Sequence, residues 1–118
     1  MVESPLKTKS VKFSIRIIKL YKYLEETKRE YIMSKQVLRS GTSIGANIHE
    51  AYFGSSKKDF AAKMQIALKE ASETEYWLYL LSQTGFLEDN ESASVIEDCQ
   101  ELAKMLHATV KTAREKLE

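Results

Sequence analysis

Cysteine, proline and glycine are scarce in this 118-residue sequence, and each scarcity excludes a class of protein. The single cysteine, Cys99, cannot form a disulfide within the chain, which excludes a disulfide-stabilised scaffold and favours a reducing cytoplasm. The one proline, Pro5, precedes the first predicted helix, and the four glycines form no phosphate-binding loop. No apolar run approaches the ~20 residues that a membrane-spanning helix needs, and the N-terminal segment has no hydrophobic signal core.

Complete sets of catalytic or metal-binding residues are also missing. A di-iron centre in a helical bundle requires Glu-x-x-His on two helices, and this spacing does not occur here. His49 stands beside Glu50 on a different face of the helix, and His107 lies among apolar neighbours. Cys99 occupies an inner helix position, where thiols are buried and unreactive. We therefore expect no catalytic residue, no metal, no cofactor and no small-molecule substrate, and we expect that the protein is not an enzyme.

Apolar residues recur at helical spacing through four segments, and no strand-like alternation competes with them. The pattern predicts helices over about 9–28, 34–53 and 56–84, and a fourth that begins at Asp89 or Asn90. Ser56 and Asp59 resemble a capping box at the start of the third helix. The connections are short, which favours antiparallel neighbours. The predicted fold class is all-α, an antiparallel up-down four-helix bundle that forms one domain over residues 1–118, with residues 1–8 as a flexible N-terminus.

The inner stripes of the four helices form the predicted core. The first two helices contribute Phe13, Ile17, Leu20, Leu24, Val37, Gly41, Ile44, Ile48 and Ala51. The last two contribute Phe60, Met64, Ala67, Ala71, Leu78, Leu81, Val95, Cys99, Leu102, Leu106 and Ala113, flanked by Ile96, Ala103, Val110 and Leu117. Two glycines, Gly41 and Gly45, lie inside the second helix, where each costs ~1 kcal/mol relative to alanine. We expect that they allow a neighbouring backbone or large side chain to approach closely.

More apolar residues are present than one bundle core can bury. Ile15 and Ile18 fall off the core stripe of the first helix, while Ile66 and Trp77 form a second stripe on the third helix. Large apolar side chains outside a core are typical of protein interfaces. We therefore expect self-association through Ile15, Ile18, Ile66 and Trp77. The alternative is that they are single exposed apolar residues, which are common on protein surfaces.

Charge is distributed unevenly although the net charge is only +1. Residues 1–40 carry ten Lys or Arg against four Glu, whereas residues 41–118 carry eight basic and thirteen acidic residues. This asymmetry predicts either a polyanion-binding face or two halves that attract each other. The candidate nucleic-acid surface is a ridge of cations on the first helix, formed by Lys9, Lys12, Arg16 and Lys19. Such a ridge can contact phosphates without reading sequence, and the alternative is a solvated helix face.

A polar but mostly uncharged row runs along the second helix, where a solvated face would favour Lys and Glu. Its members are Gln36, Ser40, Ser43, Asn47 and Glu50, with Arg39 adjacent. Our hypothesis is that this row lines a subunit contact or a binding surface. On the third helix, Glu70 and Glu73 share a side with apolar residues and need partners if they are buried. Arg39 is the predicted partner, within or across subunits.

Three segments resemble a known family, the bacterial 23S rRNA intervening-sequence proteins. Residues 36–51, QVLRSGTSIGANIHEA, resemble the second-helix signature of that family. Residues 56–60, SKKDF, and residues 66–78, IALKEASETEYWL, resemble its third helix. The resemblance extends from about Phe13 to the end of the fourth helix, which matches in pattern only.

The resemblance implies a four-helix bundle that assembles as a ring-shaped homopentamer and associates with RNA. The family is named for genes located in intervening sequences of large-subunit rRNA genes, and related accessory proteins of diversity-generating retroelements bind a reverse transcriptase and nucleic acid. The implied partners are further copies of the chain and RNA or a nucleic-acid-processing protein, in the cytoplasm and without a membrane. The alternative is a protein-interaction scaffold that does not bind nucleic acid. The motif residues Gln36, Arg39, Ser40, Ser43, Asn47, Glu50, Glu70 and Glu73 match, and their role in folding, assembly or binding stays open.

Overall fold

A computed structural model describes residues 4–118. Four helices and no strand occur within this range: α1 spans Pro5–Glu26, α2 Met33–Tyr52, α3 Lys57–Gln83 and α4 Asp89–Glu115. The all-α, four-helix prediction is confirmed. Each helix packs against the next one in the chain, and α4 also contacts α1. No helix in the described range combines the length and apolar character needed to cross a membrane.

The first helix begins four residues earlier than the apolar pattern predicted. Ser4 caps α1, because its hydroxyl accepts a hydrogen bond from the backbone N–H of Lys7 at 3.4 Å. Pro5 follows at the first helical position, where its fixed φ angle suits the helix and no N–H is needed. Leu6 is then buried against the core. Residues 1–3, the remainder of the segment predicted to be flexible, lie outside the described residues.

One cluster of buried side chains fills the space between the helices. It contains most of the predicted core residues and adds Leu6 and Leu87, while Phe60 and Ile96 pack beside it only partly buried. Leu117 was predicted to flank the inner face of the fourth helix, but α4 ends at Glu115 and the Leu117 side chain is 46% exposed. The stripes that lie inside helices were therefore predicted well, and the errors fall at helix ends.

The α1–α2 connection is organised by a buried carboxylate that the sequence did not reveal. The Glu30 carboxylate accepts hydrogen bonds from the N–H groups of Ile32, Met33 and Ser34 at 3.2, 3.1 and 2.7 Å. These groups belong to the start of α2, where the first N–H groups have no partner within the helix. A negative charge there also interacts favourably with the helix dipole. Glu30 thus fixes where α2 begins relative to α1.

Close approach of α1 and α2 at the two glycines is confirmed. A methyl group added at Gly41 would lie 2.8 Å from Cγ2 and 3.0 Å from Cγ1 of Ile17, a fully buried side chain. A methyl group at Gly45 would lie 3.0 Å from the hydroxyl of Ser14, whose side chain is only partly buried. The two positions therefore differ in how easily the neighbour can move.

We expect Gly41→Ala to lower the free energy of unfolding by about 1 kcal/mol. Overpacking against Ile17 costs ~1–3 kcal/mol, which exceeds the ~1 kcal/mol that alanine gains over glycine inside a helix. Gly45→Ala is the matched control, since the same helix gain applies and Ser14 can rotate away. Urea denaturation followed by circular dichroism measures both. Equal or greater stability of Gly41→Ala would contradict the packing argument.

Candidate functional site

The cationic ridge of α1 lies against the acidic side of α4. The Lys9 ammonium is 2.6 Å from a carboxylate oxygen of Glu101. Arg16 donates to Asp98 at 2.6 Å, and its second terminal nitrogen donates to Glu91 at 3.3 Å. Both cations are therefore neutralised within the chain.

The two other ridge residues, Lys12 and Lys19, are exposed and form no ion pair within residues 4–118. Half of the predicted nucleic-acid ridge thus remains available to phosphates. The uneven charge of the two halves of the chain also has an internal explanation, since cations before residue 40 pair with carboxylates after it. Exposed pairs of this kind stabilise a fold weakly, by ~0–1 kcal/mol each.

The polar row of α2 divides between the interior and the groove beside α3. Ser40 is fully buried, and its hydroxyl is hydrogen-bonded at 2.9 Å to that of Thr74 on α3. Ser43 donates to the carbonyl oxygen of Arg39 at 2.6 Å, and Asn47 donates to that of Ser43 at 2.8 Å, so both side chains bond within their own helix. Ser40 thus contributes to helix packing.

The two end residues of the polar row, Gln36 and Glu50, lie on the side of α2 that faces the groove with α3. Gln36 is half-buried, and Glu50 is exposed and paired with Lys63 of α3 at 3.4 Å. The row therefore follows the α2–α3 groove. Gln36 and Glu50 can still contact a partner, whereas Ser40 has no accessible surface to offer one.

Arg39 joins the two carboxylates of α3, as predicted, within one chain. Its guanidinium donates to Glu70 at 3.3 Å and makes a short contact with Glu73. The indole N–H of Trp77 also donates to Glu73 at 3.0 Å. The hydrogen bond from Trp77 and then that from Arg39 hold the pKa of Glu73 below its ordinary value of 4.5. This cluster therefore keeps an ionised carboxylate beside the only tryptophan.

Three of the four residues predicted to form an oligomer interface are exposed. Ile15 is 49% exposed, Ile18 40% and Ile66 42%, whereas Trp77 is partly buried and packs against the core. Val11, which sequence reasoning missed, is 58% exposed and lies one turn before Ile15. The outer face of α1 thus carries a continuous apolar strip formed by Val11, Ile15 and Ile18.

The Cys99 thiol is buried, and the potential metal ligands of the described residues do not cluster. Burial raises the pKa of the Cys99 thiol to about 12, with smaller contributions from Glu75 and Asp98. The thiol lies 3.4 Å from the carbonyl oxygen of Ala71, in the core. Among residues 4–118, no three His, Cys, Asp or Glu residues are placed to hold a metal ion. At ordinary pH the Cys99 thiol is therefore protonated and unsuited to nucleophilic attack.

The end of the bundle at the α2–α3 connection holds a cavity of about 690 Å³ that sequence reasoning missed. Tyr52 and Phe60 line it together with Lys57 and Lys116. The local signal was present in the run YFGSSKK, residues 52–58, where aromatic and basic residues flank a glycine. The part of the lining that comes from α4 and from Lys116 could not be predicted from this run, because these residues lie about fifty positions further along the chain.

Two comparisons with known proteins agree with this architecture. Residues 4–108 match a family model described as 23S rRNA-intervening sequence protein. The chain is also similar to a protein of unknown function from the S23 ribosomal protein family of Bacteroides thetaiotaomicron VPI-5482, known from a crystal structure. The two are 50% identical over 90% of this chain and 98% of the other, with a TM-score of 0.89. No curated protein matches the chain.

We expect Trp77 fluorescence to report the ionisation of Glu73 with a midpoint below pH 4.5. Because the pKa of Glu73 is lowered in the fold, this carboxylate contributes stability above its unfolded pKa and loses it as pH falls through the folded pKa. Arg39→Gln removes a hydrogen bond and a positive charge, so the midpoint should move upward.

Glu73→Gln is the control for this titration and should abolish the transition. Acid unfolding is monitored separately by circular dichroism, so that loss of the fold is not mistaken for titration. An unchanged midpoint in Arg39→Gln would show that Arg39 does not act on Glu73.

Proposed function

This chain belongs to the 23S rRNA-intervening sequence protein family, and from that premise we propose that it is a non-enzymatic homo-oligomer that associates with RNA. The observation that carries the proposal is the family match, which covers residues 4–108. The exposed apolar strip on α1 and the exposed lysines beside it agree with it. We infer further that the subunit is an antiparallel up-down bundle and that the assembly is a ring of five.

The order of contacts along the helices supports the antiparallel arrangement. Between α2 and α3, Arg39 pairs with Glu73 while the later residue Glu50 pairs with the earlier residue Lys63. The other neighbouring helices show the same reversed order. For α1 and α2 the contacts are Ser4–Tyr52 and Ile17–Gly41. For α3 and α4 they are Ala71–Cys99 and Gln65–Arg114, and for α1 and α4 they are Lys9–Glu101 and Arg16–Glu91. Short connections between consecutive helices are the expected accompaniment.

Two different apolar surfaces support ring assembly. One is the strip of Val11, Ile15 and Ile18 on α1, and the other is the α3 surface around Ile66 and Trp77. When one copy uses its first surface to contact the second surface of the next copy, the contact is heterologous and can close into a ring. The carboxylates of the α3 surface are already paired with Arg39, which lowers the cost of covering them.

The RNA part of the proposal rests on cations that have no acidic partner within residues 4–118. On the α1 ridge these are Lys12 and Lys19, since Lys9 and Arg16 are paired with α4. Two lysines on one chain give weak binding, but their repetition round an oligomer would make the interaction multivalent.

The second candidate function is a protein-interaction scaffold that does not bind nucleic acid. The observation that favours it is the neutralisation of Lys9 and Arg16, together with a net charge of only +1. Tyr76 and Tyr79 are exposed on α3, and exposed tyrosines are frequent anchors of protein contacts. The salt dependence of binding separates the two candidates.

We expect the purified protein to have a mass in solution five times the 13.5 kDa of one chain. Ile15→Glu places a charge in the proposed apolar contact and should reduce the mass towards that of the monomer, because burying an unpaired carboxylate is costly. Lys12→Glu, in the cationic ridge outside the apolar strip of the same helix, should leave the mass unchanged. Multi-angle light scattering measures all three. A 13.5 kDa wild-type protein at micromolar concentration would refute the assembly.

We expect the protein to bind a short single-stranded oligoribonucleotide at low salt and to lose it steeply as salt rises. Each phosphate contact on a single strand contributes about −0.7 to the slope of log K against log salt. Fluorescence anisotropy with a labelled oligonucleotide measures the slope. If no RNA binds at low salt, the RNA part of the proposal fails. If a co-purified protein is instead retained independently of salt, the scaffold is favoured.

A further inference from the structure

The bundle end at the α2–α3 connection combines a surface cavity with aromatic and basic side chains. A cavity of about 690 Å³ lies there, within the ~300–1,000 Å³ that small-molecule and cofactor sites usually occupy. Its α4 wall consists of small side chains that leave the space in front of Tyr52 and Phe60 unfilled, namely Ala108, Thr109, Thr112 and Ala113. The cavity therefore results from the pairing of small residues with aromatic ones.

Aromatic side chains are concentrated at this end. The Tyr52 and Phe60 rings meet edge to face, with centroids 5.5 Å apart and planes at 77°. The next residue, Phe53, is 75% exposed, and its ring lies 4.9 Å from that of His49. Lys7 of α1 places its ammonium 5.2 Å from the Tyr52 centroid and 6.0 Å from that of Phe53. An exposed ring beside cations is the arrangement on which unpaired bases stack.

The charge of this end contrasts with that of the α1 ridge. Of the described residues that line the cavity, two are lysines, Lys57 and Lys116, and none is acidic. Neither lysine forms an ion pair within residues 4–118, whereas Lys9 and Arg16 of the ridge are paired with carboxylates of α4. The acidic side chains nearest in sequence are Glu115, next to Lys116, and Asp59, which lies close to the lining residue Gly54; neither pairs with the two lysines within residues 4–118. The cavity is therefore suited to an anionic group.

We propose that this bundle end binds an unpaired nucleotide of single-stranded RNA. The exposed Phe53 ring supplies a stacking surface for the base, and Lys57 and Lys116 supply phosphate contacts in the adjacent cavity. The serine and threonine hydroxyls of the lining supply hydrogen bonds to the sugar and phosphate. This inference rests on the proposed function and relocates its main contact from the α1 ridge to the end of the bundle.

A nucleotide fits these observations better than an acidic protein segment does. Carboxylates of a peptide would satisfy Lys57 and Lys116, but covering the Phe53 ring would require a further apolar residue of the peptide at a suitable spacing. A nucleotide provides an anion and a flat π surface together, which is the combination that the lysines and Phe53 present. Duplex RNA is disfavoured, because its bases are stacked internally and are not free to cover a protein ring.

The first test compares two double variants that remove the same charge. Lys57→Gln with Lys116→Gln should weaken binding of the single-stranded oligoribonucleotide and reduce the salt slope by about 1.4, as expected for two lost contacts on a single strand. Lys12→Gln with Lys19→Gln, on the α1 ridge, should change the slope less. Equal effects of the two pairs would indicate general electrostatics and would overturn the site.

The second test separates stacking from charge. Phe53→Ala should weaken binding about tenfold, in the range measured for loss of one base–aromatic stack, while Phe53→Trp should keep the affinity. Because Phe53 is mostly exposed, both variants should retain the thermal unfolding midpoint of the wild type, measured by circular dichroism. Unchanged affinity in Phe53→Ala would overturn the stacking role.

The outcomes distinguish this inference from the proposed function on which it rests. No binding of RNA by the wild type would refute the proposed function itself. Loss of binding in the ridge variant with full binding in the cavity variant would keep the proposed function and refute this site. Polyglutamate and unlabelled RNA of equal charge are compared as competitors. If polyglutamate competes as well as the RNA, the cavity binds an acidic protein partner, and the proposal of a nucleotide ligand is overturned.

Discussion

The packing of α2 against α1 on one side and α3 on the other is the constraint from which the rest of the subunit follows. On one side Gly41 lies against the Ile17 side chain, and on the other Ser40 is buried against Thr74. Larger residues at either position would push a neighbouring helix outward. The small residues of the motif segment therefore act first on the distance between helices. That distance brings Arg39 within reach of Glu70 and Glu73.

Pairing of charges between distant parts of the chain decides which cations are available for function. Lys9 and Arg16 face Glu101 and Asp98 across the α1–α4 contact, so half of the four-residue cationic ridge is used inside the subunit. The same residues looked in sequence like one continuous ridge. A phosphate would have to compete with carboxylates already in place at these two positions. The net charge of a segment is therefore a poor guide to where a polyanion would bind.

Helical periodicity was sufficient for the fold, because each inner stripe lies within a single helix and needs no knowledge of the neighbours. Ile17, Ile44, Leu78 and Leu102 are all fully buried, as their spacing predicted. The start of α1 and the position of Leu117 were predicted wrongly, since capping by Ser4 and the last turn of α4 depend on backbone hydrogen bonds.

The candidate sites were harder to predict than the core, because their residues come from different helices. The Arg39–Glu73 pair could be proposed because Glu73 shared a side of its helix with apolar residues and needed a partner, while Arg39 was the cation beside the polar row of the second helix. The pairing of Lys9 with Glu101 could not be assigned, because several carboxylates of α4 were equally plausible. The cavity was missed for a related reason: Tyr52 and Lys116 meet only after α2, α3 and α4 have packed.

The sides and the ends of the bundle differ in whether another copy of the chain would cover them in the proposed oligomer. In the oligomer proposed above, apolar side surfaces such as the Val11–Ile15–Ile18 strip would be covered by another copy. The ends of the bundle would lie outside that contact, and the 75% exposed Phe53 side chain belongs neither to the core nor to the proposed contact. Single exposed apolar side chains are common on protein surfaces, so the exposure of Phe53 alone does not indicate a function. What supports the proposed ligand over a subunit contact is the position of Phe53 at the end of the bundle, next to Lys7 and to a cavity lined by lysines.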